Sequence, residues 1–423
     1  MTRSAMANGP KESYSAAMLN YLFIAPPQIV FGWGRRLEIG PLAAGLGRRA
    51  FLVSGSRTLE NRGVLDELVA HLQSAGVDVL GFHVASREPQ VADVDQLVSE
   101  FRSLSPTTED IVIAVGGGST IDLAKAAAAL ATNRQGESVV DFLEGVGRGL
   151  TITARPLPLV ALPTTAGTGS EATKNAVISS NGELHDAAAS PGRAAPYKKS
   201  LRSELMVPRL VVVDPELTVS VPPKTTAFTG MDAITQLIES YISRRAAPIP
   251  QALCLHGLKL AIPALPVAVR EGSSREAREA MSHAALLSGM ALANSGLGFA
   301  HGVAAALGVT CNVPHGLACA VMLPAALRVN REVSSRQLAE LEAMFDATAA
   351  RHPSTDVLVA ADCFIERIEQ LCATVGIPTR LRDIGVQREQ LDLLVPGSRG
   401  NSMSGNPRDV SDNELREILE RLW

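Results

Sequence analysis

DIVIAVGGGSTIDLAKAAAALA (110–131) carries the reading of the fold. Its apolar start, 110–115, reads as a strand that runs straight into three glycines and then a helical pattern. Without a Cβ, Gly116, Gly117 and Gly118 let backbone N–H groups wrap a pyrophosphate. Ser119 falls near the N-terminus of the helix, where the dipole and free N–H groups favour phosphate. Asp122 and Lys125 follow one turn apart, and Asp122 joins the expected cofactor set. The spacing is neither GxGxxG nor a P-loop, since no Gly-Lys-Ser or Gly-Lys-Thr follows. A dinucleotide phosphate loop is expected here, with a plain strand–helix turn as the alternative.

Upstream, 26–34, 48–56 and 78–84 read as strands, and 65–77 and 91–104 as helices. Strands alternating with helices of this length predict an α/β domain built on a mostly parallel sheet. Downstream, a strand over 157–162 ends in a loop crowded with Thr164, Thr165, Thr168 and Ser170. Hydroxyls at the carboxyl end of a parallel strand suit a ribose, phosphate or nicotinamide amide. Lys174 is a further candidate for lining that site. After strand 50–54 the chain reads Ser54, Gly55, Ser56 and Arg57, with no acid to hold an adenosine 2′-hydroxyl. Arg57 suits a 2′-phosphate instead, which leans the cofactor from NAD toward NADP.

A last strand at 209–213 precedes a change of pattern. Helical spacing then dominates over 228–243, 251–262, 275–295, 299–308, 317–330, 336–349, 359–374 and 411–421. The expected organisation is a loose tail over 1–22, an NAD(P)-binding domain over 23–205 and an all-helical domain over 206–423. Within the helical half, Asp232 and Gln236 are four apart and share a face. His301 opens another helical run, and His315 follows Pro314 at a turn. Together Asp232, Gln236, His301 and His315 offer nitrogen and oxygen donors to one divalent ion, Fe²⁺ or Zn²⁺. Asp232 reads alternatively as a helix cap, and His301 as a satisfied core histidine. An ion beside a nicotinamide fits hydride transfer between an alcohol and an aldehyde, the metal steadying alkoxide charge.

The 423 residues suffice for two domains. A net charge of −4 and scattered Lys and Arg leave no footprint for nucleic acid. Five cysteines without CxxC spacing indicate a reducing, cytoplasmic setting. No run of 18 apolar residues predicts a membrane span, and the N-terminus lacks the apolar core of a signal peptide.

GGGSTIDLAK, LPTTAGTGSEATKNAVI, VVVDPELT, FTGMDAITQLIESY, GLGFAHGVAAALG, CNVPHG and NPRDVSDNELREIL together resemble the iron-containing (group III) alcohol dehydrogenase family, from about residue 26 onward. That family also includes maleylacetate reductases and shares a dehydroquinate synthase-like architecture. The resemblance implies NAD(P) and a divalent metal in an interdomain cleft, a small alcohol or aldehyde substrate and a homodimer. It implies metal ligation by Asp232, His301 and His315, and cofactor contacts from Gly117, Gly118, Ser119, Thr164, Thr165 and Thr168. The chain departs from the family's pattern at Gln236, where a histidine is usual, and at Ala305, where HGxAH would place another. Two other readings stay open: a metal-independent reductase of an acidic keto or enol substrate, and a catalytically silent nucleotide-binding protein.

Overall fold

The computed structural model describes residues 20–55, 57–84, 87–180, 196–345 and 356–423. The expected tail therefore lies almost wholly outside the described residues, as do Ser56 and the end of helix 336–349. The opening stretch forms β4 (Asp110–Gly116) at the middle of a six-stranded sheet, every residue of it buried. Its companions are β1 (Ile29–Phe31), β2 (Arg49–Ser54), β3 (Asp78–His83), β5 (Leu159–Pro163) and β8 (Leu210–Val213), in the order β1-β8-β5-β4-β2-β3. All neighbouring pairs are parallel, with Ile111 opposite Ala50 and Val112 opposite Leu159.

Side chains alternate across such strands, so the continuous apolar runs supply both faces. Phe51, Val53, Val112, Ala114 and Ala161 meet α4 (Val91–Ser103) and the alanine-rich α5 (Gly118–Thr132). Ala50, Leu52, Ile111, Ile113 and Leu162 face the other way, against Leu68 and Leu72 of α3 (Val64–Ser74). Short helices α1 (Ile39–Ala44) and α2 (Arg57–Asn61) complete this half. The sheet extends past the expected 205/206 boundary, because the apolar LVVV run of β8 fits between β5 and β1. Just beyond it, Asp214 accepts from the Gly34 N–H at 2.9 Å and from Arg36 Nη1 at 3.0 Å, closing the edge.

A separate antiparallel pair, β6 (Asn175–Ser180) and β7 (Tyr197–Arg202), was not legible in the sequence. Its outer strand reads YKKSLR, and only Leu201 of it is buried. Asp122 holds this pair to α5, accepting from the Val177 N–H at 3.0 Å. The fully buried Lys125 donates to Thr173 Oγ1 at 2.8 Å and to the Asn175 carbonyl at 2.6 Å.

The helical half runs α6 (Pro223–Ile242), α7 (Pro248–Arg270), α8 (Arg275–Asn294), α9 (Phe299–Cys311), α10 (His315–Asn330), α11 (Ser335–Ala343), α12 (Val357–Thr374), α13 (Leu391–Gly397) and α14 (Asp412–Leu422). Pro223 takes the first position of α6, where its missing N–H costs nothing. Asp232 consequently lies in mid-helix rather than at the helix start expected from sequence. His315 likewise begins α10 instead of sitting in a turn. By length and composition α7 could cross a membrane, but its Cys254, Leu258, Ala261 and Leu265 are buried in the helical core.

The two halves meet through glycines of the loop after β5. A Cβ on Gly169, which has φ of 64°, would lie 2.4 Å from Gly289 Cα of α8. One on Gly167 would lie 2.6 Å from Thr229 Cβ of α6. Backbone thus packs on backbone at this seam.

Beneath the seam, Glu171 is buried near Lys125 and Asp122. Burial pushes its carboxyl up to about 7, against the pull of Lys125. Between the ordinary carboxylate value and about 7 the native chain therefore holds a proton that the unfolded chain releases, and stability falls as pH rises through that window, by roughly 3 kcal/mol. In Glu171→Gln this slope should vanish, leaving the variant more stable than wild type at about pH 8. Urea unfolding at about pH 5 and about pH 8 checks it. An undiminished slope in the variant would refute the assignment.

Candidate functional site

A cavity of about 750 Å³ opens between the carboxyl ends of the sheet strands and the first helices of the second half. Its wall includes Gly118, Ser119, Asp122, Thr168 and Lys174 from the expected cofactor set, together with Ser170. The N-cap of α5, Gly117, has no side-chain cap, leaving the helix's first N–H groups for a ligand. Asp122 reaches the wall with one oxygen already committed to the Val177 N–H. Gly116, Gly117, Thr164, Thr165, Gly55 and Arg57 do not line the cavity. A Cβ on Gly55 or Gly116 would strike Thr120 Oγ1, at 2.4 and 2.5 Å, so both glycines make room for the start of α5. The Thr164 N–H donates to the Gly116 carbonyl at 3.0 Å, fixing the two loops side by side. Arg57 is exposed at the first residue of α2, beyond the carboxyl end of β2.

At the opposite wall, α6, α9 and α10 bring together Asp232, His301 and His315. His301 Nε2 lies 3.3 Å from Asp232 Oδ1, and His315 Nε2 lies 3.8 Å from the same oxygen. The close approach of α10 depends on Gly316, whose Cβ would meet the Phe228 carbonyl at 2.5 Å. Burial alone would raise the Asp232 carboxyl, but His315 and His301 outweigh it and hold it below the ordinary value. Burial also opposes charge on His301, yet Cys319, Asp232 and Glu239 outweigh it and raise that imidazole well above its ordinary value. Burial, joined by Lys198 and His301 against the pull of Asp232, pushes His315 down to about 4.

Glu239 escaped the sequence reading. It lies on the same face of α6 as Asp232, and its carboxylate accepts from the N–H groups of Gly298 at 3.0 Å, Ala300 at 2.6 Å and His301 at 3.3 Å. It also sits 2.7 Å from His301 Nδ1. Carboxylates at both ring nitrogens favour the imidazolium in the absence of an ion; with an ion bound, Glu239 would keep the proton on Nδ1 and leave Nε2 to ligate. Asn406, from the NPRD segment, accepts from the Phe299 N–H at 3.2 Å and braces the same helix start.

Gln236, expected as a fourth ligand, is used otherwise. Its Nε2 donates to the Thr168 carbonyl at 3.3 Å, which can only accept, and its Oε1 accepts from Ser288 at 2.7 Å. These bonds turn the amide toward the nucleotide loop and Ser288, so that Gln236 ties that loop to α6 and α8. The group of metal-binding type is Asp232, His301, His315 and Cys319, with donor atoms all within 4.8 Å of one another. The structure holds two imidazole nitrogens and a carboxylate aimed at one point, with no Lys or Arg paired to that buried carboxylate among the described residues. This donor set fits a divalent cation. Cys319 was overlooked although it stands four residues after His315, on the same helical face.

Comparison with known proteins identifies the family. Residues 26–215 match the family model described as iron-containing alcohol dehydrogenase, and residues 226–423 match the C-terminal model of the Fe-containing alcohol dehydrogenase family. The chain is 30% identical over 400 residues to an NAD-dependent methanol dehydrogenase from Bacillus methanolicus, covering 94% of this chain and 98% of that one. It is 33% identical over 381 residues to a 1,3-propanediol dehydrogenase from Citrobacter freundii, covering 89% and 92%. A crystal structure of 1,3-propanediol oxidoreductase superposes with a TM-score of 0.85 at 30% identity, over 96% of this chain and all of that one (100%). With both halves matched and the same fold spanning them, the chain belongs to the iron-containing alcohol dehydrogenase family.

Proposed function

We propose that the cavity carries out NAD(P)-dependent interconversion of an alcohol and an aldehyde, with a divalent ion held by Asp232, His301 and His315. The convergence of these three groups on the wall facing the Gly118–Ser119 loop supports this reading most directly. When bound, the ion supplies Lewis-acid polarisation of the substrate oxygen, and the nicotinamide gives or takes the hydride. The chain's own groups do the positioning. Free N–H groups at the start of α5, with Ser119, receive the pyrophosphate. Thr168 and Ser170 offer hydroxyls from the opposite loop to orient the nicotinamide end. Glu239 holds His301 in the tautomer that presents Nε2. Ala305 lines the wall without a titratable group and so offers no proton relay there, which leaves water or a ribose hydroxyl to carry the alcohol proton.

Several cations on the cavity wall bear on the alternative of an acidic substrate. Three are paired with acids, Lys198 with Glu88 at 2.5 Å, Arg202 with Glu144 at 3.4 Å and Arg399 with Asp412 at 2.5 Å, while Lys174 and Lys199 also line the wall. Arg245 donates to Asn401 at 3.0 Å and to Ser404 at 2.7 Å. The wall keeps positive charge beyond these pairs, which leaves reduction of an acidic keto or enol substrate as the second reading. NADP is the cofactor we favour, on the grounds that Arg57 follows β2 where no acid stands.

Chelator-treated protein should lose activity by roughly 100-fold or more and recover it on add-back of a divalent ion, whereas Asp232→Ala should not recover. Full turnover by metal-free protein would overturn the reading. Glu239→Gln should weaken the ion's affinity by about 10–100-fold, read by competition with a chromophoric chelator. An unchanged affinity would show that Glu239 only caps α9. Arg57→Ala should raise the KM for NADPH by about tenfold and leave that for NADH alone, since one charge-assisted contact to the 2′-phosphate is lost. Equal effects on both cofactors would remove Arg57 from the site.

A further inference from the structure

We infer that Cys319 is the fourth protein ligand of the divalent ion, taking the place that Gln236 leaves, and that the site therefore selects zinc over iron(II). The inference rests on the reading that Asp232, His301 and His315 hold an ion, and adds a donor that reading does not contain.

The geometry argues for it first. Bonds of about 2.0–2.1 Å to nitrogen or oxygen and about 2.3 Å to sulfur give a tetrahedron with edges of about 3.3–3.6 Å. The structure has Asp232 Oδ1 to His301 Nε2 at 3.3 Å, Asp232 Oδ1 to His315 Nε2 at 3.8 Å and His315 Nε2 to Cys319 Sγ at 3.7 Å. All four donor atoms lie within 4.8 Å of one another. Before any ion enters, the group already stands near the spacing of a four-ligand shell.

Competition for the fourth place argues for it next. Ser288 donates to the Gln236 oxygen at 2.7 Å and holds it turned toward α8, and turning the amide round would aim that oxygen at the Thr168 carbonyl, an acceptor facing an acceptor. The contacts of Cys319 Sγ are instead with the site's own donors, among them His315 Nε2 at 3.7 Å. Cys319 is fully buried, outside any disulfide, and stands one turn after His315 on rigid α10, so both donors face α6 together. Ligation replaces the S–H bond with a metal–sulfur bond, and the proton passes to solvent, so metal binding releases one proton from Cys319. A set of one thiolate, two imidazoles and one carboxylate is softer than a nitrogen and oxygen set and suits zinc, which would take the substrate oxygen by expanding from four to five ligands.

X-ray absorption at the zinc edge of the full-length protein, with the cobalt(II)-substituted form as an optical counterpart, tests the assignment. Wild type should show one sulfur at about 2.3 Å and a near-ultraviolet thiolate-to-cobalt charge-transfer band. Cys319→Ala should lose both, and the zinc-over-iron(II) preference in a competition titration should fall by more than about tenfold. Cys319→Ser, closer in size, guards against a packing failure and should likewise lose the sulfur shell while melting as wild type does. Zinc bound tightly with nitrogen and oxygen neighbours only would overturn the role of Cys319 while leaving the three-residue site standing. Failure of wild type to bind any divalent ion would overturn both. A sulfur shell with an unchanged ion preference would overturn the selectivity alone.

Discussion

The carboxylate of Glu239 is the interaction on which the site depends. It is buried, and an unpaired charge there would cost several kcal/mol. The N-terminus of α9 resolves this by turning its free N–H groups onto the two oxygens, with the His301 ring as a further partner. One group therefore sets where α9 begins, how it meets α6 and which nitrogen of His301 faces the cavity. Asp232 lies two turns earlier on α6, so the relative position of Asp232 and His301 follows from helix geometry once Glu239 is in place. The chemistry of the site is built on a helix cap made between two different helices.

The sheet domain contributes in the same way, through constraint more than through reactive groups. Thr120 fills the notch between Gly55 and Gly116, and Thr168 crowds Gly118. These contacts fix the N-terminus of α5 against the loop after β5, and that loop against the helical half. Gln236 then joins the two halves directly, from the Thr168 carbonyl to Ser288. A residue that interrupts a run of ligands in the sequence serves in the structure as a strut between the nucleotide loop and the ion's wall.

The parallel sheet was legible because β2, β4, β5 and β8 are apolar on both faces and the turns after them are marked by glycine, proline or hydroxyl residues. The pairing of Asp232 with two distant histidines was legible because charged and imidazole groups stand out in apolar helices. The hairpin of β6 and β7 was not, since YKKSLR carries no period that separates a strand from a loop. Asp122 was expected in the cofactor set and does reach the cavity wall, but nothing local in the sequence shows that it and Lys125 also pin β6. Their work of pinning β6 depends on backbone groups 50 and 55 residues away. The fate of Gln236 turned on Ser288, 52 residues distant on another helix, and no local pattern reports such a partner. The spacing of Cys319 from His315 is helical and so legible, but without a CxxC partner nothing local marks the thiol as a ligand.

The contact of Gly169 with Gly289 has a mechanical consequence. Where two main chains touch, no rotamer is available to take up slack, and the separation of the halves is set by atomic radii alone. A side chain added at either glycine would meet backbone of the other half and wedge the seam open, so the register of the nucleotide loop on α8 is kept by the absence of two methyl groups.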